Sequence, residues 1–500
     1  MERLVYEMSR CHQESSICRR DFIRCAAATA IVPATKSIAA TVSPDLVVGV
    51  LSDVHVEGST PSAKTAAFER ALAYFRDAGA DAVLIAGDIA DYGLVSELEN
   101  VARSWYKVFP DDRLPDGRHV EKIFVYGDHD ISCWHIKSVY WGGEWEGDMR
   151  ARKWADAIAR DPAAAWEKCF HEEFRPCFRK TVKGYDFLCA HWTAGADHRA
   201  HSDIPGAADF VLSEGARCDP AKPFFYVQHR HPKGTCFAPW VCSDGGLVTP
   251  ALARFPNAVA ISGHAHEPLS DERNVWQGAF TSFGTATLDY AGGRNWCENC
   301  APFVSGTSRL APMPRIDLSL CTQGMVMRVY PDRIDLERRD FQWGESMGPD
   351  WSIPWPPSRA KPYAPDANAA RLGAPEFAPG ATVSFSEVDG RTADNRPMRR
   401  VVVAFPPANA GSARVYHYEI VATFVEEDFT RPCASKLVLA PDHHLPPSRT
   451  GLPGEAHFAF AELPHNAHVR FDVTPVSCFG RRGKAISSAQ IWKMPAQPKA

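Results

Sequence analysis

Beyond its first 40 residues, this chain of 500 has no stretch approaching the roughly 20 consecutive apolar residues that a membrane-crossing helix needs. No integral membrane segment is expected. An excess of charge is also missing, since 55 Lys and Arg stand against 60 Asp and Glu and leave a net charge of -5. That near-balance gives no global electrostatic case for a nucleic-acid polymer or an anionic membrane as partner, so function must come from local sites. No internal repeat is present. The chain does not lack cysteine, but Cys11, Cys18 and Cys25 fall at the N-terminus and the rest follow no repeating spacing, so no disulfide framework can be read. With 45% hydrophobic residues, what remains is ordinary globular material, long enough for two or three domains.

The run Ser16-Ile17-Cys18-Arg19-Arg20-Asp21-Phe22-Ile23-Arg24 sets two adjacent Arg before Phe-Ile-Arg. A mildly apolar stretch from Ala26 to Val32 follows, then small residues around Ile38-Ala39-Ala40, with Lys36 nearby. The pattern resembles a bacterial twin-arginine export signal over residues 1–42. The resemblance implies a soluble periplasmic or secreted protein, exported folded. The alternative is a disordered basic tail.

Strands are marked by short apolar runs, and chemistry follows each at once. Residues 45–51 lead into Ser52-Asp53-Val54-His55, whose Asp53 and His55 share a face because strand side chains alternate. A helix is expected over 62–78, with Gly79 just past its end. Residues 82–86 deliver Gly87-Asp88-Ile89-Ala90-Asp91, and a second helix is expected over 96–109. Residues 123–126 deliver Gly127-Asp128-His129-Asp130. This β-α-β-α-β series predicts a parallel sheet covered by helices, with a site at the carboxyl ends of its strands.

Residues 131–180 turn rich in Trp and charge and read as a helical cap inserted beside the site. Its Trp134, Trp141, Trp145, Trp154 and Trp166 either line a pocket that stacks a sugar or base or simply pack the cap. A strand at 185–190 ends in His191, read as a core or rim histidine. Strands at 223–228 and 258–262 deliver His229-Arg230-His231-Pro232 and Gly263-His264-Ala265-His266, and strand pairs at 279–288 and 325–341 close the unit at about residue 345. The Pro-crowded 346–378 reads as a stiff linker. Residues 379–495 alternate like half-buried strands and suggest a β-sandwich similar to fibronectin type III. Cys297-Glu298-Asn299-Cys300 has no second C-x-x-C to complete a tetrahedral zinc site, so a disulfide or plain thiols are favoured there.

Together the strand ends supply Asp53, His55, Asp88, Asp91, Asp128, His129, His229, His264 and His266. Mixed imidazole and carboxylate suit transition metals, and two such ions can hold the attacking and leaving oxygens of a phosphoryl displacement. The order Asp-x-His, Gly-Asp-x-x-Asp, Gly-x-His-Asp, His, Gly-His-x-His resembles the calcineurin-like metallophosphoesterases, over about residues 46–341. That resemblance implies an α+β protein: a four-layer α/β/β/α sandwich over 45–345, followed here by the all-β fibronectin-III-like domain. It implies two divalent or mixed-valence ions (Zn, Mn or Fe). Asp53, His55 and His266 would hold the first, Asp88 would bridge, and Asp128, His229 and His264 would hold the second. A bridging hydroxide would attack a small-molecule phosphate ester. His129 would stabilise the oxyanion or protonate the leaving alkoxide, with Asp91 orienting its ring. His231 competes with His229 for the ligand role and is otherwise a substrate contact, together with Arg230 and His135.

One position departs from the family pattern, which has Asn where this chain has Asp128. Three carboxylates and a hydroxide against two divalent ions sum to about neutral, which leaves less charge to attract a phosphate. A trivalent ion, a protonated Asp128 or weak turnover would follow. No Arg cluster is evident to clamp a dianionic monoester, which favours phosphodiester or nucleotide-type substrates. The rival readings are a metal-binding protein with little or no turnover, and a cell-envelope binding module whose work lies in the C-terminal domain.

Overall fold

The computed structural model of the chain describes residues 43–58, 62–131, 162–193, 201–239, 241–292, 297–300, 316–319, 321–391, 397–411 and 413–493. The twin-arginine run, His135, Trp134, Trp141, Trp145 and Trp154 lie outside the described residues.

Strands β1 (Leu46–Leu51), β2 (Ala82–Ala86) and β3 (Glu121–Val125) are almost wholly buried, because runs of Val, Leu, Ile and Ala suit a strand covered on both faces. They pair in parallel through α1 (Ala63–Asp77) and α2 (Val95–Val108). The start of α1 is fixed by Ser62, whose hydroxyl accepts from the Thr65 amide, and Gly79 just beyond its end takes φ +71°. After α3 (Pro162–Phe170) a second sheet is built from β4 (Cys177–Val182), β5 (Tyr185–Ala190), β6 (Phe224–Val227), β7 (Ala258–Ser262), β8 (Val275–Gln277) and β9 (Thr281–Gly284). Its order is β4-β5-β6-β7-β9-β8, parallel from β5 to β9 and antiparallel at both edges. Helices α4 (Ala207–Gly215) and α5 (Val248–Leu252) lie between its strands in sequence. The hairpin of β10 (Gln323–Tyr330) and β11 (Arg333–Asp340) then returns to the first sheet, with β10 antiparallel to β1.

Alternation along the strands sorts these residues into layers. Val48, Val50, Leu84, Ala86, Ile123 and Val125 of the first sheet share one core with Phe225, Val227, Val259, Ile261 and Phe283 of the second. Their neighbours Val83, Ile85 and Phe124 turn outward to Phe68, Leu72, Phe75 and Trp105 of α1 and α2, while Tyr226 and Ala260 turn to the side of Val211 and Leu252 on α4 and α5. Two sheets therefore face each other, with helices on their outer faces.

Two expectations need correction. Residues 346–378 are not a bare linker: β12 (Glu345–Ser346) and β13 (Trp351–Pro354) both pair with β11, and α6 (Pro365–Arg371) follows. Proline is tolerated on such an edge, and Trp351, Ile353 and Trp355 alternate into the inter-sheet core. The inserted cap is also shorter at its end than 131–180, because Cys177–Val182 is a strand of the second sheet. Trp166 packs against Tyr126, Phe170 and His191 in the core.

Beyond α6, β14 (Ser384–Arg391), β15 (Pro397–Phe405) and β18 (Gly454–Ala459) make one sheet, and β16 (His417–Glu426), β17 (Phe429–Leu439), β19 (His468–Val476), β20 (Ile486–Ser487) and β21 (Trp492–Lys493) make another. Val401, Val403 and Phe458 of the first meet Ile420, Ala422, Phe471 and Val473 of the second in a shared core. β17 departs from the alternation expected of half-buried strands, because its first four residues are all exposed. Its Pro432 sits where the register with β16 shifts, so alternation is lost.

His191, directly after β5, is a core histidine. Its Nδ1 accepts from the Tyr126 amide at 2.9 Å, Trp166, Phe174 and Phe178 surround its ring, and burial pushes its pKa down to about 3. A folded-state pKa below the unfolded value of about 6.5 means that the unfolded chain takes up the proton more readily. The stability this group contributes is complete above pH 6.5 and is lost as pH falls toward 3, with about 2 kcal/mol gone at pH 5. His191→Gln, which keeps an acceptor, is expected to flatten the fall in urea-unfolding free energy between pH 7 and 5 by that amount; an unchanged slope would contradict the assignment.

Candidate metal centre

The carboxyl ends of β1, β2, β3, β6 and β7 meet at one edge, and there the backbone is bent in an unusual way. Asp53, His55, Asp88, His264 and His266 all take left-handed conformations, with φ of 50°, 49°, 50°, 67° and 51°. Each such residue costs about 1–3 kcal/mol unless its surroundings hold it, and Asp and His are among the side chains that bear it best. The surroundings here do hold it. Loop amides after β1 donate across to the loop after β2, from Asp53 to Gly87 O at 3.0 Å and from Val54 to Asp88 O at 2.8 Å. Two of the motif glycines have a packing reason: a Cβ on Gly127 would collide with the Asp88 carboxylate, and one on Gly263 with Ser52 and Asp53.

These bends gather two groups of donor atoms. Asp53, His55, Asp88 and His266 form one, Asp88, Asp128, His229 and His264 the other, and within each group the atoms lie within 4.8 Å of one another. Asp88 belongs to both. In the first group His266 Nε2 is 3.0 Å from Asp53 Oδ1 and 3.4 Å from His55 Nε2. In the second, His229 Nε2 is 3.1 Å from both Asp88 Oδ2 and Asp128 Oδ1, and 3.0 Å from His264 Nδ1.

The chemistry of this donor set fits cations. His229 and His266 each spend Nδ1 on a backbone carbonyl, of Ala86 at 2.8 Å and of Tyr290 at 2.7 Å, so each aims the lone pair of Nε2 into the cluster. Imidazole nitrogens thus face one another and carboxylate oxygens across the cluster. Asp128 Oδ1 is buried with no hydrogen-bond partner. Burial would raise the carboxyl pKa values, yet the histidine charges outweigh it and hold Asp53, Asp88 and Asp128 below the usual carboxylate range. Burial also lowers the pKa of His55 and His264 and keeps them neutral, whereas the carboxylates overcome it and raise His229 and His266. Protons on those two rings occupy the place a metal ion would take.

Residues 46–268 match the family model of the calcineurin-like phosphoesterases. This part of the chain belongs to that family. No curated protein matches the chain in sequence. Among solved structures, similarity is found to a dimetal phosphatase from Danio rerio, at 11% identity and a TM-score of 0.36, covering 63% of this chain and 100% of that one. GAP50, the anchor in the inner membrane complex of Plasmodium, is similar at 11% identity and a TM-score of 0.33, covering 61% and 87%. A predicted phosphoesterase from Streptococcus pneumoniae is similar at 10% and 0.26, covering 62% and 97%.

All seven ligand candidates of the phosphoesterase domain are brought together. His129 and Asp91 lie beside them, but Asp91 acts differently from expectation. Its main-chain carbonyl, at 2.8 Å, holds His129 Nδ1, while its carboxylate stands 3.3 Å from His55 Nδ1 and 3.7 Å from Lys64. The rivalry between His229 and His231 is resolved by position. His231 is 1% exposed, bonds Ser262 through Nδ1 at 2.8 Å, has its pKa pushed down to about 3 by burial, and belongs to neither donor group. Arg230, expected with His231 as a substrate contact, is likewise 1% exposed. Cys297 and Cys300 are buried against Tyr416 and Leu439, and no cysteine joins a donor group among the described residues.

Two contributors escaped the sequence reading. Asp130 accepts from the amides of Ala90 and Gly127 at 2.7 Å and of Ile89 at 3.2 Å, so it ties the loop after β2 to the loop after β3. Its place two residues past Asp128 was the available signal. Tyr290 lies with its ring 4.3 Å from that of His266, and nothing local marks it. Gly127→Ala is expected to displace Asp88 and, since a shift of about 1 Å can cost 100-fold, to lower activity by about that factor. Metal analysis of the variant should show fewer ions per chain than the wild type; full occupancy and full rate would show that the close approach is dispensable.

Proposed function

We propose that the chain hydrolyses phosphate esters at a centre of two transition-metal ions, Zn, Mn or Fe, and that phosphodiesters or nucleotide-type esters are its substrate class. The observation that carries this reading is the pair of imidazole and carboxylate groups sharing Asp88 within a domain of the phosphoesterase family. Asp53, His55 and His266 hold one ion in this reading, Asp128, His229 and His264 the other, and Asp88 both. Ions bound there supply Lewis-acid activation of water and of the phosphoryl oxygens.

The remaining steps belong to the chain's own groups. Asp91 is a positioning residue: its carboxylate steadies His55 and its carbonyl fixes His129. Burial works against a charged His129, but the carboxylates of Asp88 and Asp128 outweigh it and push its pKa up to about 9. In this reading His129, beside those carboxylates, would donate a proton to the phosphoryl oxygen or to the leaving alkoxide. The substrate class is supported by the state of the nearby cations. Arg230 pairs with Asp128, and Lys64 is shared by Asp289, Asp91 and Glu57, so neither is offered to the dianionic end of a monoester.

Export in the folded state by the twin-arginine route is part of the proposal and rests on the Arg19-Arg20 run. The fibronectin-like character of the C-terminal strands is a second part, resting on two sheets of short antiparallel strands packed face to face. Neither changes the chemistry.

The deciding experiment compares hydrolysis of bis- and mono-p-nitrophenyl phosphate by the protein after loading with Mn, Zn or Fe. Turnover of the diester is expected to exceed that of the monoester, and no turnover of either with two ions bound would sink the enzymatic reading. In the same assay His129→Gln should lower kcat by about 10²- to 10⁴-fold with ion content unchanged. Cell fractionation tests export: Arg19→Lys with Arg20→Lys is expected to retain the protein in the cytoplasm, and undiminished export would remove the signal.

A further inference from the structure

Arg230 directly follows the candidate ligand His229, and its setting is unusual for an arginine. It is 1% exposed, its guanidinium carbon lies 4.4 Å from the centre of the Trp192 ring, and its Nη2 is 3.6 Å from Asp128 Oδ2. Asp128 itself is 7% exposed and turns its other oxygen, Oδ1, to His229 and His264. One carboxylate thus faces the second donor group with one oxygen and a buried cation with the other. A charge taken this far from water is costly unless another charge answers it.

We infer that Asp128 and Arg230 form a single charge-compensated unit at the second donor group, in which Arg230 is a positioning residue that returns the positive charge Asp128 removes. The inference rests on the two-metal reading. Before any hydroxide is counted, two divalent ions held by Asp53, Asp88 and Asp128 would leave one net positive charge at the centre. Arg230 raises it to two, the value the same centre would have with an uncharged amide at position 128. Burial of Arg230 under Trp192 keeps it from the substrate, so its contribution is to the field and to the aim of the Asp128 carboxylate. A neutral Asp128 or a trivalent ion is then unnecessary.

A double-mutant cycle on the full chain tests this, with Asp128→Asn, Arg230→Gln and the two combined. The readouts are the affinity for the second Mn or Zn ion, by chelator competition, and the KM for bis-p-nitrophenyl phosphate. Compensation gives the single variants opposite signatures. Asp128→Asn leaves Arg230 facing the ion and weakens second-ion binding tenfold or more. Arg230→Gln keeps that ion as tightly as the wild type or tighter, but raises KM tenfold or more. The combined variant returns both values to within about threefold of the wild type, and Arg230→Lys stays near the wild-type KM. A combined variant as poor as or poorer than the worse single in either readout overturns the unit.

Melting of the metal-free protein gives an independent reading. Single variants that fail to fold while the combined variant folds support the unit, and a combined variant that melts below both singles overturns it. A wild type that binds two ions yet hydrolyses no ester defeats the functional proposal alone, because ion affinity and melting still decide the pair.

Discussion

The arrangement depends on one constraint: Asp53, Asp88 and Asp128, at most 7% exposed, are held within reach of one another and of four histidines. Like charges at such distances repel, and burial strips away the water that would screen them. The shared Asp88 makes the constraint sharper, because it cannot move toward one group without leaving the other. Arg230 answers Asp128, and the His129 amide donates to Asp88 Oδ1 at 2.9 Å, but the carboxylate oxygens that face the imidazole nitrogens wait for cations. The site is costly to the apo fold, and ions held there would offset that cost.

Holding the carboxylates in place is a task for the backbone. Five left-handed residues at the strand ends turn their side chains to the same side within a few residues of leaving the sheets, which a relaxed extended loop would not do. The strain is secured by amide bonds between neighbouring loops and by Asp130, which spends its carboxylate on three amides instead of on a ligand role. Sheets buried on both faces supply the stiffness beneath. Val48, Leu84 and Ile123 pack into the inter-sheet core while Val83, Ile85 and Phe124 pack under the helices, so no strand end can tilt without opening one core or the other.

The legible and illegible parts of this chain separate along physical lines. Ligand residues were readable because each follows a strand at once: a fixed period of two and a Gly break put Asp53, His55, Asp88, Asp128 and the two His pairs into the sequence as a pattern. Helices α1 and α2 were readable for the same reason, to within about a residue at each end. Choosing between His229 and His231 was beyond the pattern, since both lie buried near the same strand end and only their neighbours separate them: Asp88 and Asp128 for His229, Ser262 for His231. The role of Arg230 depends on Trp192 and Asp128, which come from other strands, so no local spacing could show it. Pro-rich 346–378 misled because proline suggests absence of structure, whereas an edge strand needs only one side of its amides free.

The C-terminal strands bear on the site without touching it. Gln323, fully buried, accepts from the Leu269 amide at 2.8 Å and donates to His444 O at 2.7 Å, so one side chain joins the segment just past His266 to the C-terminal β unit. Ser270 donates to the carbonyl of His443, and Asn299 exchanges two hydrogen bonds of 2.9 Å with the Leu439 backbone. Separating the β unit from the phosphoesterase domain would strand these groups, at about 1–3 kcal/mol for each buried one left unmet. That cost argues against a hinge between them. The β unit is better understood as a buttress behind the loop that carries His264 and His266, two histidines held in left-handed conformations beside the carboxylates of Asp128 and Asp53.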